Sequence, residues 1–321
     1  MNQDKSIAEF SAAIKEKALE IGFAGCGFSR AEALPEDARR LNAWLQDSHH
    51  ARMGYMANHF EKRTDPTILV EGARTIISLL YNYYTDRVQS DPEAPILSKY
   101  AYGKDYHFVM KDKMHLLFDF IKSMHPEAEG RVFVDSAPVL DRAWAKRAGL
   151  GWIGKNSMLI SRSAGSFVFI GEIILNLELE YMQVPESDFC GSCTRCIEAC
   201  PTQAILDTRS IDSERCISYQ TIENKGEISS EIEGELSGRV FGCDICQNVC
   251  PWNRKAENHH EPAFNPEGGL LEMSLERWQN LSREEYKLLF PESAVQRAGY
   301  NKLKSNLASL QKKQESKDSL L

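Results

Sequence analysis

The run Cys190-Gly-Ser-Cys193-Thr-Arg-Cys196-Ile-Glu-Ala-Cys200-Pro201 limits what this chain can fold into more than any other stretch. Three cysteines at i, i+3 and i+6 can place thiolates on adjacent irons of one cubane. The fourth, ahead of a proline, turns toward a second cluster. Such a run needs a partner, and Cys243-Asp-Ile-Cys246-Gln-Asn-Val-Cys250-Pro251 supplies one, with Cys216 upstream. The eight cysteines divide into two sets. Cys190, Cys193, Cys196 and Cys250 are assigned to one [4Fe–4S] cluster, and Cys200, Cys216, Cys243 and Cys246 to the other. Structural zinc is the competing reading, since zinc also accepts four cysteines. Zinc ribbons separate two C-x₂-C knuckles, however, and here three cysteines crowd into seven residues before Cys-Pro. The ninth cysteine, Cys26, lies in the apolar stretch Phe23–Phe28 and reads as a small buried residue rather than a reactive thiol.

With 321 residues the chain has room for two domains and a sizeable core. A hydrophobic share of 42% and a charged share of 26% are ordinary for a globular protein. No apolar run reaches membrane-spanning length, and MNQDKSIAEF lacks the basic-then-apolar pattern of a signal peptide. The expectation is a cytoplasmic protein without a membrane partner, in a compartment that keeps its cysteines reduced for iron. A net charge of −8 argues against a broad nucleic-acid surface and leaves a local basic patch open.

Residues 6–21 read as an amphipathic helix carrying Ile7, Phe10, Ile14 and Ile21 on one face, opened by a Ser6-x-x-Glu9 capping box and ended by Gly22. Phe23–Phe28 fits a short buried strand, and Ser29-x-x-Glu32 reads as a second capping box, before a helix burying Leu41, Trp44 and Leu45. Residues 75–84 form the clearest strand, apolar enough to sit centrally in a sheet. A polar loop follows at 86–95, then a helix over 105–124 burying Phe108, Leu117, Phe118, Ile121 and Met124. A strand at 131–134, a helix from about Pro138, and strands at 157–160 and 166–175 complete the pattern. The fold class expected is α+β: an α/β layered domain over 1–180, a double-cluster domain over 181–255, and a short helical segment over 256–321 with a frayed tail. The cysteine-bearing domain has too few apolar residues to fold without its metal.

Two clusters alone need no α/β domain in front of them, so that domain is expected to hold what receives the electrons. Its most informative stretch is Val132-Phe-Val-Asp135-Ser-Ala-Pro138-Val-Leu-Asp141-Arg142, running on to Gly151-Trp-Ile-Gly154-Lys155-Asn156. From Arg142 to Gly171 there are five Lys/Arg and no Asp or Glu, a glycine-rich block that suits an anion approached by backbone. A cationic surface strip with glycine turns explains the same block. Asp135 ends a strand, where such domains place catalytic groups. It can equally cap the helix near Pro138, as can Ser136. An acid working at neutral pH needs a dry pocket, and Val132, Phe133, Val134 and Pro138 are placed to build one.

At these residues the chain resembles the epoxyqueuosine reductases, enzymes that complete the queuosine nucleoside of transfer RNA. The matching pieces are Glu61-Lys-Arg63, Gly103-Lys-Asp-Tyr-His107, Val134-Asp-Ser-Ala-Pro138, Arg147-Ala-Gly-Leu-Gly151, Gly154-Lys-Asn156, Gly165-Ser166, Arg215-Cys-Ile-Ser218 and both cysteine runs, within roughly residues 5 to 310. The resemblance implies a cobalamin-binding α/β domain beside a bacterial-ferredoxin-like domain, an architecture shared with cobalamin-dependent reductive dehalogenases. It implies that Asp135 is the proton donor, and that Arg63, Ser98, Leu159, Ile170 and Ser218 contact cobalamin, with Asp135, Lys155 and Asn156 beside it. Arg63 also has a plain alternative, a surface arginine paired with Asp65. No Asp-x-His-x-x-Gly run exists, so a histidine-ligated cobalamin of the mutase kind is not expected. Longer relatives continue past a segment like 293–300 into helical repeats that help hold RNA, and this sequence stops near there.

The activity implied is reduction of epoxyqueuosine at the tRNA wobble position by a monomer. Its partners would be the anticodon stem-loop and a reductant protein. A reductive dehalogenase and a ferredoxin-like electron-transfer module are the alternatives. Cobalamin binding separates the module from the enzymes, and activity on epoxyqueuosine tRNA separates the two enzymes.

Overall fold

The structure is a computed structural model that describes residues 6–181 and 188–318, with side chains as far as 311. Its strands in chain order are β1 (Gly25–Arg30), β2 (Thr75–Asn82), β3 (Ile96–Leu97), β4 (Gly130–Phe133), β5 (Trp152–Ile153), β6 (Leu159–Ile160), β7 (Val168–Leu175) and β8 (Arg239–Phe241). The chain divides into two compact units that alternate along the sequence. The first comprises Met1–Ser48, Gly54–Asn82 and His107–Ser192; the second comprises His49–Met53, Tyr83–Tyr106 and Cys193–Leu321. The domain boundary expected near 180 abuts residues 182–187, which lie outside the described residues. Among the described residues no helix is long and apolar enough to cross a membrane.

The first unit is built on a four-stranded sheet in the order β1-β2-β7-β4, in which every neighbouring pair is antiparallel. Alternating helices and strands predicted α/β layering, but alternation along a chain does not set strand direction. The strand expected at 75–84 is central, and all of β2 from Thr75 to Tyr81 is buried. Its Ile and Leu side chains suit a strand covered on both faces. Among the described residues six helices belong to this unit: α1 (Ile7–Ile21), α2 (Pro35–Gln46), α3 (Phe60–Thr64), α4 (Pro66–Leu69), α5 (Tyr106–Met124) and α6 (Asp141–Arg147).

Helix α1 forms both halves of the Ser6–Glu9 capping box and ends at Gly22, whose φ of 106° favours glycine. It buries Phe10, Ile14 and Ala18, whereas Ile7 is exposed. The Ser29–Glu32 box does not form, because pairing with β2 draws Ser29 into β1. Helix α2 starts instead at Pro35 after an N-cap Leu34 that makes no side-chain cap bond. In α5 the buried residues are Val109, Met110, Met114, Leu117 and Ile121, and Phe108 is exposed.

Helices cover both faces of the sheet. A Cβ on Gly171 of β7 would meet Met114 Sδ of α5 at 2.6 Å, so that glycine lets α5 lie close on one face. On the other face Ile174 and Phe133 pack with Trp144 of α6, and Val168 and Ile170 pack with Ala145. Gly27 of β1 stands against the end of α6, where a Cβ would fall 2.2 Å from the Ala148 carbonyl oxygen.

The second unit pairs β3 with β8 in parallel, with a bulge between Ile96 and Leu97. Leu97, Val240 and Phe241 join a buried cluster with Trp278, Phe290, Val295 and Leu303. Ser282 caps the helix Arg283–Leu289, as its sequence motif predicted. The last helix runs Tyr300–Asp318, and the tail residues 319–321 lie outside the described residues. The cysteine-bearing part is less bare than its composition implied, since Ile217, Ile228, Ile232 and Leu236 form a further apolar cluster. No residue from 188 to 201 is buried, however.

Candidate active site and cluster-binding region

Asp135 lies between β4 and α6 with φ at +52°, in the left-handed region. The Ser136 N–H donates to the Val134 carbonyl at 2.5 Å, closing a γ-turn centred on Asp135. A non-glycine residue here costs on the order of 1–3 kcal/mol of strain, although aspartate tolerates it better than most. The helix expected at Pro138 begins at Asp141, its N-cap is Leu140, and no side chain caps it. The capping role of Asp135 and Ser136 is therefore excluded. The carboxylate Oδ2 lies 3.7 Å from His107 Nε2, and the Asp135 side chain is 63% exposed. Phe133, Val134 and Val139 are buried nearby, yet they do not enclose the carboxyl in the dry pocket expected from its neighbours.

Arg63 is buried in α3, donating to the Tyr55 carbonyl at 3.2 Å while its Nε finds no partner. Burial lowers its pKa, and the charge of Asp141 partly restores it. The surface pair with Asp65 is not made, because Asp65 caps α4 by accepting from Thr67. Asn156 is 3% exposed; its Oδ1 accepts from the Met158 N–H, and its Nδ2 is buried without an acceptor. Buried donors of this kind require explanation, and an oxygen-rich ligand would satisfy both. Leu159 and Ile170 belong to one apolar cluster with Leu80, Ala145 and Val168. Lys155 Nζ donates to the Gly191 carbonyl at 2.8 Å. In the second unit, Ser98 precedes the turn Lys99–Ala101, and Ser218 lies in the helix Ile217–Ile222.

The acid-free block does not fold into one anion cradle. Arg142 binds Ser157, Arg147 binds Glu32, and Arg162 stacks over Phe189. Gly151 is needed because a Cβ there would lie 2.2 Å from the Ile160 carbonyl oxygen across the β5–β6 hairpin. Gly154 is crowded by Ile160 and Asn156 in the same way. Close packing, rather than glycine turns or an anion, accounts for these two glycines.

All nine cysteines are free thiols. Within the second unit, burial raises Cys216, Cys243 and Cys246, with Cys243 pushed up to about 12, and neighbouring thiols add to it. Cys200 acts on Cys216, Cys216 acts on Cys243, and both Cys243 and Cys216 act on Cys246. Cys196, of the other set, also acts on Cys246, so the two sets adjoin there. Cys190 accepts a hydrogen bond from Trp152 Nε1 at 3.4 Å in the first unit. Among the described residues, no three His, Cys, Asp or Glu side chains converge to hold a single metal ion. Cys26, in β1, is pushed up to about 12 by burial, which suits the unreactive role read from its apolar neighbours.

Two acidic residues at this site escaped the sequence reading. Asp141 looked like an ordinary residue of the helix after Asp135, but its Oδ1 is buried at the start of α6. Glu172 is fully buried in β7. A lone glutamate inside the apolar run Val168-Phe-Ile-Gly-Glu-Ile-Ile-Leu175 was the available signal.

Residues 63–136 match the family model described as epoxyqueuosine reductase QueG, DUF1730, and residues 189–253 match the 4Fe-4S double cluster binding domain. An epoxyqueuosine reductase of Cellulophaga algicola is 50% identical over 294 residues, covering 92% of this chain and 95% of that one. The epoxyqueuosine reductase of Escherichia coli is 36% identical over 313 residues, covering 96% of this chain and 82% of that one. A crystal structure of selenomethionine-labelled epoxyqueuosine reductase superposes with a TM-score of 0.89 at 31% identity, covering 98% of this chain and 84% of that one. An epoxyqueuosine reductase bound to an epoxyqueuosine-modified tRNA-Tyr stem loop gives 0.88 at 31% identity, covering 96% and 82%. With relatives this similar along nearly its whole length, the chain belongs to the epoxyqueuosine reductase family.

Proposed function

We propose that this protein reduces epoxyqueuosine to queuosine in the anticodon stem-loop of tRNA, using cobalamin and two [4Fe–4S] clusters. The observation that carries the reading is the family likeness over nearly the whole chain, joined to an exposed carboxyl on a strained turn at the end of β4. Opening the epoxide to an alkene breaks two C–O bonds, consumes two electrons and two protons, and releases water. The eight cysteines of the two runs and Cys216 hold the clusters, which accept one electron at a time from a reductant protein. Bound cobalamin supplies a redox-active, strongly nucleophilic metal that no side chain offers.

Arg63 and Asn156 fit such a cofactor, since each keeps a buried N–H that a corrin amide or the nucleotide-loop phosphate can accept. Leu159 and Ile170 give it apolar contact, and Lys155 is a further contact on the same unit. Asp135, exposed and beside His107, delivers a proton to the departing epoxide oxygen. The enzyme works as a monomer in the cytoplasm. The test is conversion of an epoxyqueuosine-bearing stem-loop by protein reconstituted anaerobically with iron, sulfide and cobalamin. Formation of queuosine supports the reading. An intact substrate after incubation with fully loaded, reduced protein would overturn it.

A further inference from the structure

Glu172 is the only ionisable residue of β7, and it occupies an apolar place. Along the strand it stands between Ile170, which packs with Ala145 of α6, and Ile174, which packs with Trp144 of the same helix. Across the sheet its register partners are Ser78 on β2 and Phe133 on β4. The residue has no exposed surface, and neither carboxylate oxygen has a hydrogen-bond donor among the described residues. An isolated ionised carboxylate in such a place is prohibitively costly, so the group must stay neutral or share a proton.

The partner for sharing is Asp141, whose carboxyl lies within hydrogen-bonding reach of Glu172 and whose Oδ1 is buried. Two carboxyls bond to one another only when one of them holds a proton. The charge of Asp135 reaches both. The other groups around them are Arg142 and Arg63, whose charges act on Asp141, and His107 beside Asp135. Two buried carboxyls thus stand close to one exposed carboxyl, and the buried pair titrates as a unit rather than singly.

We propose that Glu172 and Asp141 share one proton beneath the turn that carries Asp135 and return it to Asp135 once Asp135 has protonated the epoxide oxygen. The proposal rests on the functional reading above. Its balance is simple. Asp135 gives the first proton as one C–O bond breaks. The shared proton then recharges Asp135, which delivers it as the second C–O bond breaks and water leaves. Solvent refills both Asp135 and the pair between turnovers, and the clusters supply both electrons. Burial pushes Asp141 up to about 6 and Glu172 well above the usual carboxylate range, which agrees with one proton kept at neutral pH. Glu172 and Asp141 are positioning residues in this scheme, because they act through Asp135.

The experiment has two arms. Infrared spectra of the holoprotein at about pH 8, roughly four units above an ordinary glutamate, report any un-ionised carboxylic acid directly. The carbonyl stretch of such an acid is expected in the wild type and absent from Glu172→Gln. Its absence from the wild type would overturn the proposal, whether or not the variant folds and whether or not the substrate is correctly identified. In the second arm, single turnover on the epoxyqueuosine stem-loop is followed against pH. Glu172→Gln is expected to slow it roughly 10–100-fold, at the lower end of what loss of a positioned acid costs, with substrate binding unchanged. Small weakly acidic buffers should restore part of the variant's rate and leave the wild type unaffected. A Glu172→Gln protein with the wild-type rate and pH profile would also overturn the proposal, and a slow variant that no buffer acid rescues would reduce Glu172 to a structural part.

Discussion

The two units bury their mass by different means. In the first, Ile76, Ile77, Leu79, Leu80, Ile173 and Ile174 are almost wholly enclosed between helices, and the sheet needs nothing beyond its own side chains. In the second, the stretch from 193 to 201 buries none of its residues and presents its cysteines on a loop and a four-residue helix. The later cysteines are better supported, since β8 leads into them from an apolar cluster and Cys250 is itself buried. One unit takes its order from an apolar pattern. In the other, order along the first cysteine run is expected to depend on thiolate–iron bonds, whose binding free energy is then folding free energy.

Stripping the iron is the harshest way to break this contrast. Amide exchange along 188–201 is expected to become unprotected after chelation, while β2 and β7 keep the protection of the holoprotein. Simultaneous loss of protection in β2 and β7 would show that the sheet also depends on metal. A finer probe is Cys216→Ser, which is expected to lower the iron content from about eight to about four per chain. Cys26→Ser makes the smallest change and should leave the iron count as it was, because that thiol lies in β1 of the sheet unit, outside both cysteine sets. Iron falling by half in the Cys26 variant, or not at all in the Cys216 variant, would redraw the cysteine assignment.

Much of this contrast was legible in the sequence. The cysteine spacing revealed the double-cluster segment, and the apolar run at 75–84 revealed the central strand. What was misread has physical causes. Ile7 and Phe108 match helical periodicity, but the phase of an amphipathic helix is set by the surface it lands on. Ser29 satisfies a local capping pattern, and strand pairing with Ile76 overrides it. Strand direction and the two alternating units depend on contacts remote in sequence. At the site, Asp135 was visible from its place after a strand, and the structure removes its competing role as a helix cap. Asp141 and Glu172 come together only when α6 folds over β7, so no linear motif joins them.

The account stands or falls on Asp135. Asparagine also tolerates the left-handed backbone, so Asp135→Asn is expected to fold with the wild-type melting temperature and to load both clusters and cobalamin. It lacks the proton that the departing oxygen requires, and its single-turnover rate on the epoxyqueuosine stem-loop should fall ~10²–10⁴-fold. The measurement is that rate, taken beside the iron content and visible spectrum of the same sample. A fully loaded Asp135→Asn protein that forms queuosine at the wild-type rate would contradict the account and leave the proton donor elsewhere.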